Sequence, residues 1–309
     1  MPIITTTLLF LSLIFSKISL ASLDDVSRKM SEQFAAKSSL VGDFLANSRY
    51  QEAIWLLNAL DEKSSALEIK NALYNYMQTG EIVRIEPLGG GSTPTQKVIF
   101  ANGISGVFKA KVTFKKNGLF LSGYLSTNIR SEASAYIVDQ LLELDLVPMT
   151  ILRQVGAQFG SLQYFVKGAI SAENLTAQER VKPAKLLLLD YFIKNIDRST
   201  HNYMYMPSLN KFIAIDNSWS LRNTSMLSKI KSYGVDKRTA SEVQRQFPLD
   251  QVPSEAEYQR LKNLDPAKIE EELKSILKPE ALAKLIARRQ KVLASIEEVY
   301  RKIGYIPLQ

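Results

Sequence analysis

The sequence predicts an α+β fold in which a helical extension precedes a sheet-rich lobe and a helical lobe. Three observations carry this prediction. Residues 22–80 place apolar side chains at helix spacing, residues from Glu81 onward form short apolar runs between glycine-rich turns, and residues 265–303 return to helix spacing. The 309 residues are 46% hydrophobic and 23% charged, which is typical of a globular protein with a large core. We expect an extension at 22–80, an N-lobe at 81–167 and a C-lobe at 168–309.

The first 21 residues resemble an export signal. Residues 3–20 are mainly apolar with a single charge, Lys17, and Ser19-Leu20-Ala21 is a small-x-small cleavage pattern. We expect residues 1–21 to be a signal peptide and the mature protein to be exported, whether periplasmic, secreted or delivered to another cell. An uncleaved membrane anchor is the alternative, but Lys17 shortens the apolar run below about 18 residues.

Residue types that are rare or absent exclude several chemistries. The chain has no cysteine, so thiol catalysis and cysteine metal sites are excluded, and an export route without disulfides fits a bacterium. The single histidine, His201, excludes a metal site with several histidines. A net charge of +8 favours anionic partners, either a nucleotide or an anionic membrane surface, although a solvated basic surface explains it equally well. We expect no nucleic acid, because basic motifs with interleaved aromatic residues are absent.

The N-terminal extension is predicted to be a series of helices that pack together. Breaks are expected near Ser48-Arg49 and Asp61-Glu62, and a further helix at 66–77 ends at Thr79-Gly80. The apolar stripe consists of Phe34, Val41, Phe44, Leu45, Ile54, Leu57 and Leu60.

The N-lobe begins with strands at 82–85, 97–100 and 106–111. The loop between the first two contains Gly90, Gly91, Ser92 and Thr93, and its backbone N–H groups suit a phosphate, although three glycines also suit an ordinary hairpin. Lys109 lies within an apolar strand, where a lysine is costly unless it is paired. The alternative for Lys109 is a surface position on an edge strand.

A strong helix follows, opened by Arg130-Ser131-Glu132 and running over 133–144. Glu132 is either an acid favoured by the helix dipole or the partner of Lys109. Strands at 151–155 and 161–166, separated by a turn at 156–160, lead to a hinge between the lobes.

Residues 186–221 carry the strongest chemical signal. A buried helix at 186–193 precedes Asp197 and Asn202, and a hairpin of 203–206 and 211–215 precedes Asp216. Phosphoryl transfer needs one group to orient the attacking hydroxyl and oxygen ligands to hold Mg²⁺. Asp197, Asn202 and Asp216 have the spacing that these roles have in kinases. Taken singly, they also suit a helix cap, a turn and a hairpin end.

The C-terminal region is predicted to be polar and irregular at 225–253 and helical at 265–277 and 279–303. The basic run Arg288-Arg289-Gln290-Lys291 is either a solvated face or a surface for lipid headgroups.

Four stretches, taken together, resemble the phosphatidylinositol 3-/4-kinase superfamily, most closely the type II phosphatidylinositol 4-kinases. The secretory-pathway kinases of the four-jointed type are similar in the same places. The resemblance covers roughly residues 82–222. Its motifs are Gly106-Val107-Phe108-Lys109-Ala110-Lys111; Arg130-Ser131-Glu132-Ala133 with Val138-Asp139-Gln140 and Leu146-Val147-Pro148-Met149-Thr150; Gly160 to Val166; and Leu189-Asp190-Tyr191 through Asn202 to Ile215-Asp216-Asn217.

The resemblance implies a protein-kinase-like bilobal fold that binds ATP between its lobes. It implies that Lys109 holds the nucleotide phosphates, that Glu132 orients Lys109, and that the strand with Gln163, Phe165 and Val166 offers backbone groups to adenine. It also implies a catalytic role for Asp197. Asn202 and Asp216 would hold Mg²⁺ or Mn²⁺.

The chain departs from the family pattern at two places. Asn217-Ser218 follow the metal aspartate, where the family usually has glycine at the second position, and the palmitoylated cysteine cluster of the type II enzymes is missing. The resemblance implies an exported phosphotransferase that moves the γ-phosphate of ATP to a phosphoinositide hydroxyl. A protein Ser/Thr kinase of the same fold and a non-catalytic pseudokinase are the alternatives.

Overall fold

A computed structural model describes residues 22–35, 38–89, 95–111, 128–221 and 247–305. The expected signal peptide, at 1–21, lies outside the described residues. The chain divides into two compact units, Met1–Gly80 and Glu81–Gln309. None of the described helices combines the length and the apolar character needed to cross a membrane.

The first unit consists of four helices. They are α1 (Leu23–Phe34), α2 (Ser39–Ala46), α3 (Tyr50–Ala59) and α4 (Lys63–Thr79). Ser48 and Asp61 have left-handed backbone conformations, with φ of 56° and 60°, which end α2 and α3. The predicted apolar stripe is buried in the core of this unit from Phe34 to Leu57, but its last member, Leu60, is 49% exposed.

The second unit begins with a five-stranded antiparallel sheet. Its strands are β1 (Ile82–Leu88), β2 (Thr95–Phe100), β3 (Ser105–Ala110), β4 (Thr150–Val155) and β5 (Gln158–Tyr164), in the order β1-β2-β3-β5-β4. Helix α5 (Ile129–Leu141) follows β3 in the chain. Gly160 pairs with Ala110 beside Lys109, and a Cβ there would overlap the Lys109 carbonyl. Glycine therefore permits the close approach of β5 to β3 at the predicted nucleotide lysine.

The remainder of the second unit is mainly helical. It contains β6 (Ile170–Ser171), α6 (Ala184–Ile193), β7 (Tyr203–Met206), β8 (Lys211–Ala214), α7 (Glu255–Asn263), α8 (Pro266–Leu273) and α9 (Pro279–Lys302). Strands β6, β7 and β8 form a small antiparallel sheet. Helix α7 was not among the predicted helices, although Ser254 and Glu257 form a capping box at its start.

Two arginines of the basic run in α9 bind backbone carbonyls within the protein, which neither interpretation of the sequence predicted. Arg288 Nη1 donates to the carbonyl of Phe192 at 2.6 Å, and Arg289 Nε donates to the carbonyl of Leu261 at 2.9 Å. Burial lowers the pKa of Arg288 to about 10. Both arginines therefore bind carbonyls near the C-terminal ends of other helices, where such carbonyls lack intrahelical partners. These two side chains form neither a fully solvated face nor a headgroup surface.

Candidate active site

Lys109 lies on the middle strand of the five-stranded sheet, so the alternative of an edge-strand surface lysine is wrong. Its side chain is only 12% exposed. The ammonium Nζ lies 2.6 Å from Glu132 Oε1 and 2.8 Å from Asp216 Oδ1. Burial opposes its charge, but the two carboxylates outweigh burial and raise the pKa of Lys109. Lys109 is therefore a paired, protonated cation.

Glu132 is positioned by the first turn of α5. Asn128 caps this helix, accepting a hydrogen bond from the Ser131 N–H, and places Glu132 facing the sheet. The Glu132 side chain is 3% exposed, and its second oxygen, Oε2, accepts the Asn217 N–H at 2.8 Å. Burial raises the pKa of Glu132, and the charge of Lys109 opposes that rise. Glu132 thus contacts both the nucleotide lysine and the backbone beside Asp216.

Asp216 follows β8 and turns toward Lys109. Its backbone has φ of 48°, a left-handed conformation that aspartate tolerates better than most residues. Oδ1 accepts from both Lys109 and Ser218, the latter at 2.9 Å. Burial opposes ionisation, but Lys109 and the hydrogen bonds lower the pKa of Asp216 below its usual value. Asp216 is an ionised carboxylate; the Lys109 and Ser218 contacts both go to Oδ1, and the Glu132 side chain also interacts with Asp216.

Asp197 and Asn202 occupy one loop after α6. Asn195 Oδ1 accepts the Asp197 N–H at 3.0 Å, and Asn202 Nδ2 donates to the Asp197 backbone carbonyl and to its Oδ2, the latter at 3.2 Å. The Ile215 N–H donates to the Asn202 carbonyl at 3.1 Å. This bond joins the Asp197 loop to the chain just before Asp216. Because the amide nitrogen of Asn202 is used on Asp197, its amide oxygen remains for another partner.

Two functional candidates escaped the sequence analysis, namely Arg198 and Asp190. Both side chains are buried, with 4% and 6% exposure. Arg198 Nε lies 3.1 Å from each carboxylate oxygen of Asp190. A signal existed in the sequence, because Asp190 shares the apolar stripe of its helix with Leu186, Leu189 and Ile193. A carboxylate on a buried helix face requires a cation or several donors.

Only some of the polar groups of the candidate adenine strand are available to bind adenine. Gln163 lies between Val107 and Thr150 in the sheet, and its side chain donates to Thr150 Oγ1 at 2.9 Å. The Phe165 N–H donates to the Ser105 carbonyl at 2.9 Å. The N–H of Val166 makes no hydrogen bond within the part of the chain that the structure describes. The phosphate loop, with Gly90, Gly91, Ser92 and Thr93, lies outside the described residues.

The chain matches a known protein family over more than half of its length. Residues 121–301 match the family described as "Phosphatidylinositol 3- and 4-kinase". No curated protein matches the chain in sequence.

Solved structures resemble the fold at low sequence identity. The Golgi casein kinase with Mn/ADP bound has a TM-score of 0.54 at 15% identity over 77% of each chain. A hydra Fam20 structure with sugar has a TM-score of 0.55 at 16% identity, covering 76% of this chain and 90% of that one. These likenesses confirm the prediction of an α+β, protein-kinase-like bilobal fold.

Proposed function

Because the chain belongs to the phosphatidylinositol 3- and 4-kinase family, a family of phosphotransferases, we propose that it transfers the γ-phosphate of ATP to an alcohol hydroxyl. One observation carries the proposal. A protonated lysine on the central strand is held between a helix carboxylate and Asp216, and a second loop presents Asp197 beside Asn202. Phosphoryl transfer depends mainly on positioning and charge, and this arrangement supplies both.

The nucleotide is assigned to the cleft beside Lys109. Lys109 would bind the phosphates as a fixed cation, and Glu132 would hold its ammonium in place. Adenine would accept a hydrogen bond from the Val166 N–H, which is the available donor of the predicted strand. Gly90, Gly91, Ser92 and Thr93 remain the proposed phosphate loop.

Mg²⁺ or Mn²⁺ fits the donor set of the two loops. Both ions favour oxygen ligands, and Mg²⁺ usually takes only one or two protein side chains. The candidate oxygens are those of the Asp216 carboxylate and the Asn202 amide, and Asp216 is ionised because of its neighbours. When bound there, the ion neutralises charge on the ATP phosphates.

Asp197 is assigned to the acceptor. Its carboxylate would orient the attacking hydroxyl and accept its proton as the hydroxyl oxygen bonds to the γ-phosphorus and the bond to the ADP oxygen breaks. Asn202 supports this role, because its amide N–H groups hold the carbonyl and carboxylate of Asp197. The Ile215–Asn202 backbone hydrogen bond joins the Asp197 loop to the segment of Asp216, and this favours catalysis over a pseudokinase.

For the acceptor we propose a phosphoinositide, on the strength of the family and the net charge of +8. A protein hydroxyl is the second candidate, supported by the fold likeness to the Golgi casein kinase. Export through residues 1–21 remains part of the proposal. Contact with an anionic membrane would have to use cations other than Arg288 and Arg289, which bind carbonyls.

The proposal is tested with labelled ATP and Mg²⁺ or Mn²⁺, offering phosphatidylinositol vesicles in one arm and a panel of proteins in the other. Asp197→Ala should lower transfer by about 10²- to 10⁴-fold, the usual contribution of a positioned acid or base. Asp250→Ala, which removes an exposed aspartate, is the matched control and should transfer normally. Near-normal turnover by a folded Asp197→Ala protein would refute the assignment. Label in protein but not in lipid would replace the phosphoinositide by a protein acceptor.

A further inference from the structure

Arg198 connects the two loops of the candidate site through a saturated set of hydrogen bonds. Nε donates to Asp190, Nη1 donates to the carbonyls of Asn202 and Ile215, and Nη2 donates to Asp190 Oδ1 and Asn217 Oδ1. A guanidinium has five N–H groups, and these contacts occupy all of them. We call Asp190, Arg198 and Asn217 the Arg198 latch.

The anchor of the latch is rigid. Asp190 lies in the last turn of α6, where its carbonyl also accepts the N–H of Asn195 at 2.8 Å. Its carboxylate pairs with Arg198 from the loop that follows this helix, so the charge of the guanidinium is compensated inside the protein. A buried ion pair of this kind is stable only when its remaining donors and acceptors are also satisfied. The two carbonyls and Asn217 Oδ1 meet that condition for the guanidinium, whereas Asn217 Nδ2 is buried without a hydrogen-bond partner among the described residues.

The other end of the Arg198 latch binds groups of the chain at or next to the proposed metal ligands. Arg198 binds the backbone carbonyl of Asn202 itself and the carbonyl of Ile215, the residue before Asp216. On the other side of Asp216, the Asn217 side chain binds Arg198 and its N–H binds Glu132. Asp216 is therefore fixed at both neighbours, while its own side chain makes no contact with the arginine.

We propose that Arg198 is a positioning residue that sets the distance between Asn202 and Asp216, and so determines how well the site binds a divalent ion. The inference rests on the proposed function. Arg198 touches no substrate and acts through two carbonyls and Asn217. Asn217 and Ser218 stand where the family usually ends a mobile segment with glycine, and the latch fixes this segment in the orientation that faces Lys109.

The test uses the full chain with three variants. Arg198→Lys keeps the charge but has three donors on a point ammonium, which cannot reach all of these acceptors. Asn217→Ala removes only the side-chain end of the latch. Arg289→Lys is the matched control, since Arg289 is another partly buried arginine that donates to a carbonyl, that of Leu261 in α7, outside the latch.

The main readout is the ratio of ATP affinities with and without Mg²⁺, measured by calorimetry in Mg²⁺ and in EDTA. Both latch variants should lose about tenfold of the Mg²⁺ effect, because a shift of about 1 Å in a positioned group costs up to about 10²-fold. Their affinity in EDTA should stay within about threefold, since Lys109 and Glu132 remain. Arg289→Lys should melt earlier but keep the Mg²⁺ effect.

Retention of the full Mg²⁺ effect in the latch variants would overturn the inference, whatever their melting temperatures. If Arg198→Lys does not fold, Asn217→Ala decides by the same criterion. Absence of any Mg²⁺ effect in wild type would instead refute the proposed metal site. In that case hydrogen exchange decides the latch, with about tenfold faster exchange of the Ile215 and Asn217 amides in Asn217→Ala supporting it and unchanged exchange overturning it.

Discussion

The Lys109 cluster (Lys109, Glu132 and Asp216) and the Arg198 latch both combine a cation with carboxylate oxygens, but they differ in charge balance and exposure. Each holds one cation against oxygen acceptors from separate segments of the chain. The latch pairs one guanidinium with one carboxylate and uses all five guanidinium N–H groups, and its ion pair is at most 6% exposed. The Lys109 cluster has two carboxylates for one ammonium, and the Asp216 side chain is 38% exposed.

This difference separates a structural cluster from a binding cluster. A buried ion pair with no spare acceptor has nothing to offer a ligand, and breaking it leaves an unpaired charge in the interior. A cluster with excess negative charge at a cleft has an oxygen available for a cation, and its lysine can exchange a carboxylate for a phosphate. We therefore expect variants of the latch to lose stability and variants of the Lys109 cluster to lose activity.

The largest effect on stability is expected for Asp190→Ala. This change leaves the Arg198 guanidinium buried without its carboxylate, which typically costs about 3–5 kcal/mol of unfolding free energy. Urea unfolding followed by circular dichroism measures it. A loss below about 1 kcal/mol would mean that Arg198 has another counter-charge, and the latch would not be the closed pair described here.

Lys109→Met should lose more activity and less stability than Asp190→Ala. Turnover should fall by about 10²- to 10³-fold, because a fixed cation at the phosphates stabilises charge in the transition state. The stability loss should be smaller than that of Asp190→Ala, since Glu132 can take up a proton and Asp216 can turn toward solvent. An equal stability loss in the two variants would remove the distinction between the clusters.

Within the Lys109 cluster, Asp216→Asn should cost more metal binding than Asn202→Ala. It removes a formal charge facing a divalent ion in a partly dry cleft, where electrostatic interactions are stronger than in water. We expect Asp216→Asn to bind ATP normally in EDTA and to lose the added affinity that Mg²⁺ gives wild type. Calorimetry in both buffers measures this, and an undiminished Mg²⁺ effect would remove Asp216 from the metal site.

A smaller, pH-dependent effect is expected at Asp139, a third buried carboxylate that accepts the Leu146 N–H at 2.9 Å. Burial, reinforced by Asp145, raises the pKa of Asp139 from 3.8 to about 7. The folded protein therefore holds a proton that the unfolded chain releases, so this stabilisation is complete below pH 4 and is lost as the pH rises through 7.

Asp139→Asn keeps an acceptor oxygen but does not titrate. Its unfolding free energy relative to wild type should therefore rise between pH 4 and 7, by at most about 1.4 kcal/mol per pH unit. Lys211, whose pKa burial lowers to about 8, makes both proteins more stable above pH 8 and so lies outside the pH range of this comparison. Urea unfolding at pH 5 and pH 7 tests this, and a constant difference between the two proteins would show that Asp139 is ionised throughout.

The sequence by itself determined the fold class and predicted the residues of the candidate site. The change from helix spacing to strand spacing at Glu81 is a local signal, because each element buries one face. Asp197, Asn202 and Asp216 lie within 20 residues of chain, so their spacing was informative before any packing was known. The family match confirms the prediction of a kinase, while the signal peptide and the role of each site residue remain predictions.

The tertiary structure decided which charges meet. Glu132 and Asn217 are 85 residues apart, and Arg288 reaches Phe192 across 96 residues. A sequence shows that Arg198 and Asp190 are charged, but the cost of burying them depends on partners supplied by packing of distant segments. For the same reason the sequence predicted that the basic run of α9 is a surface patch. In the folded protein, two of its arginines bind carbonyls at the ends of other helices.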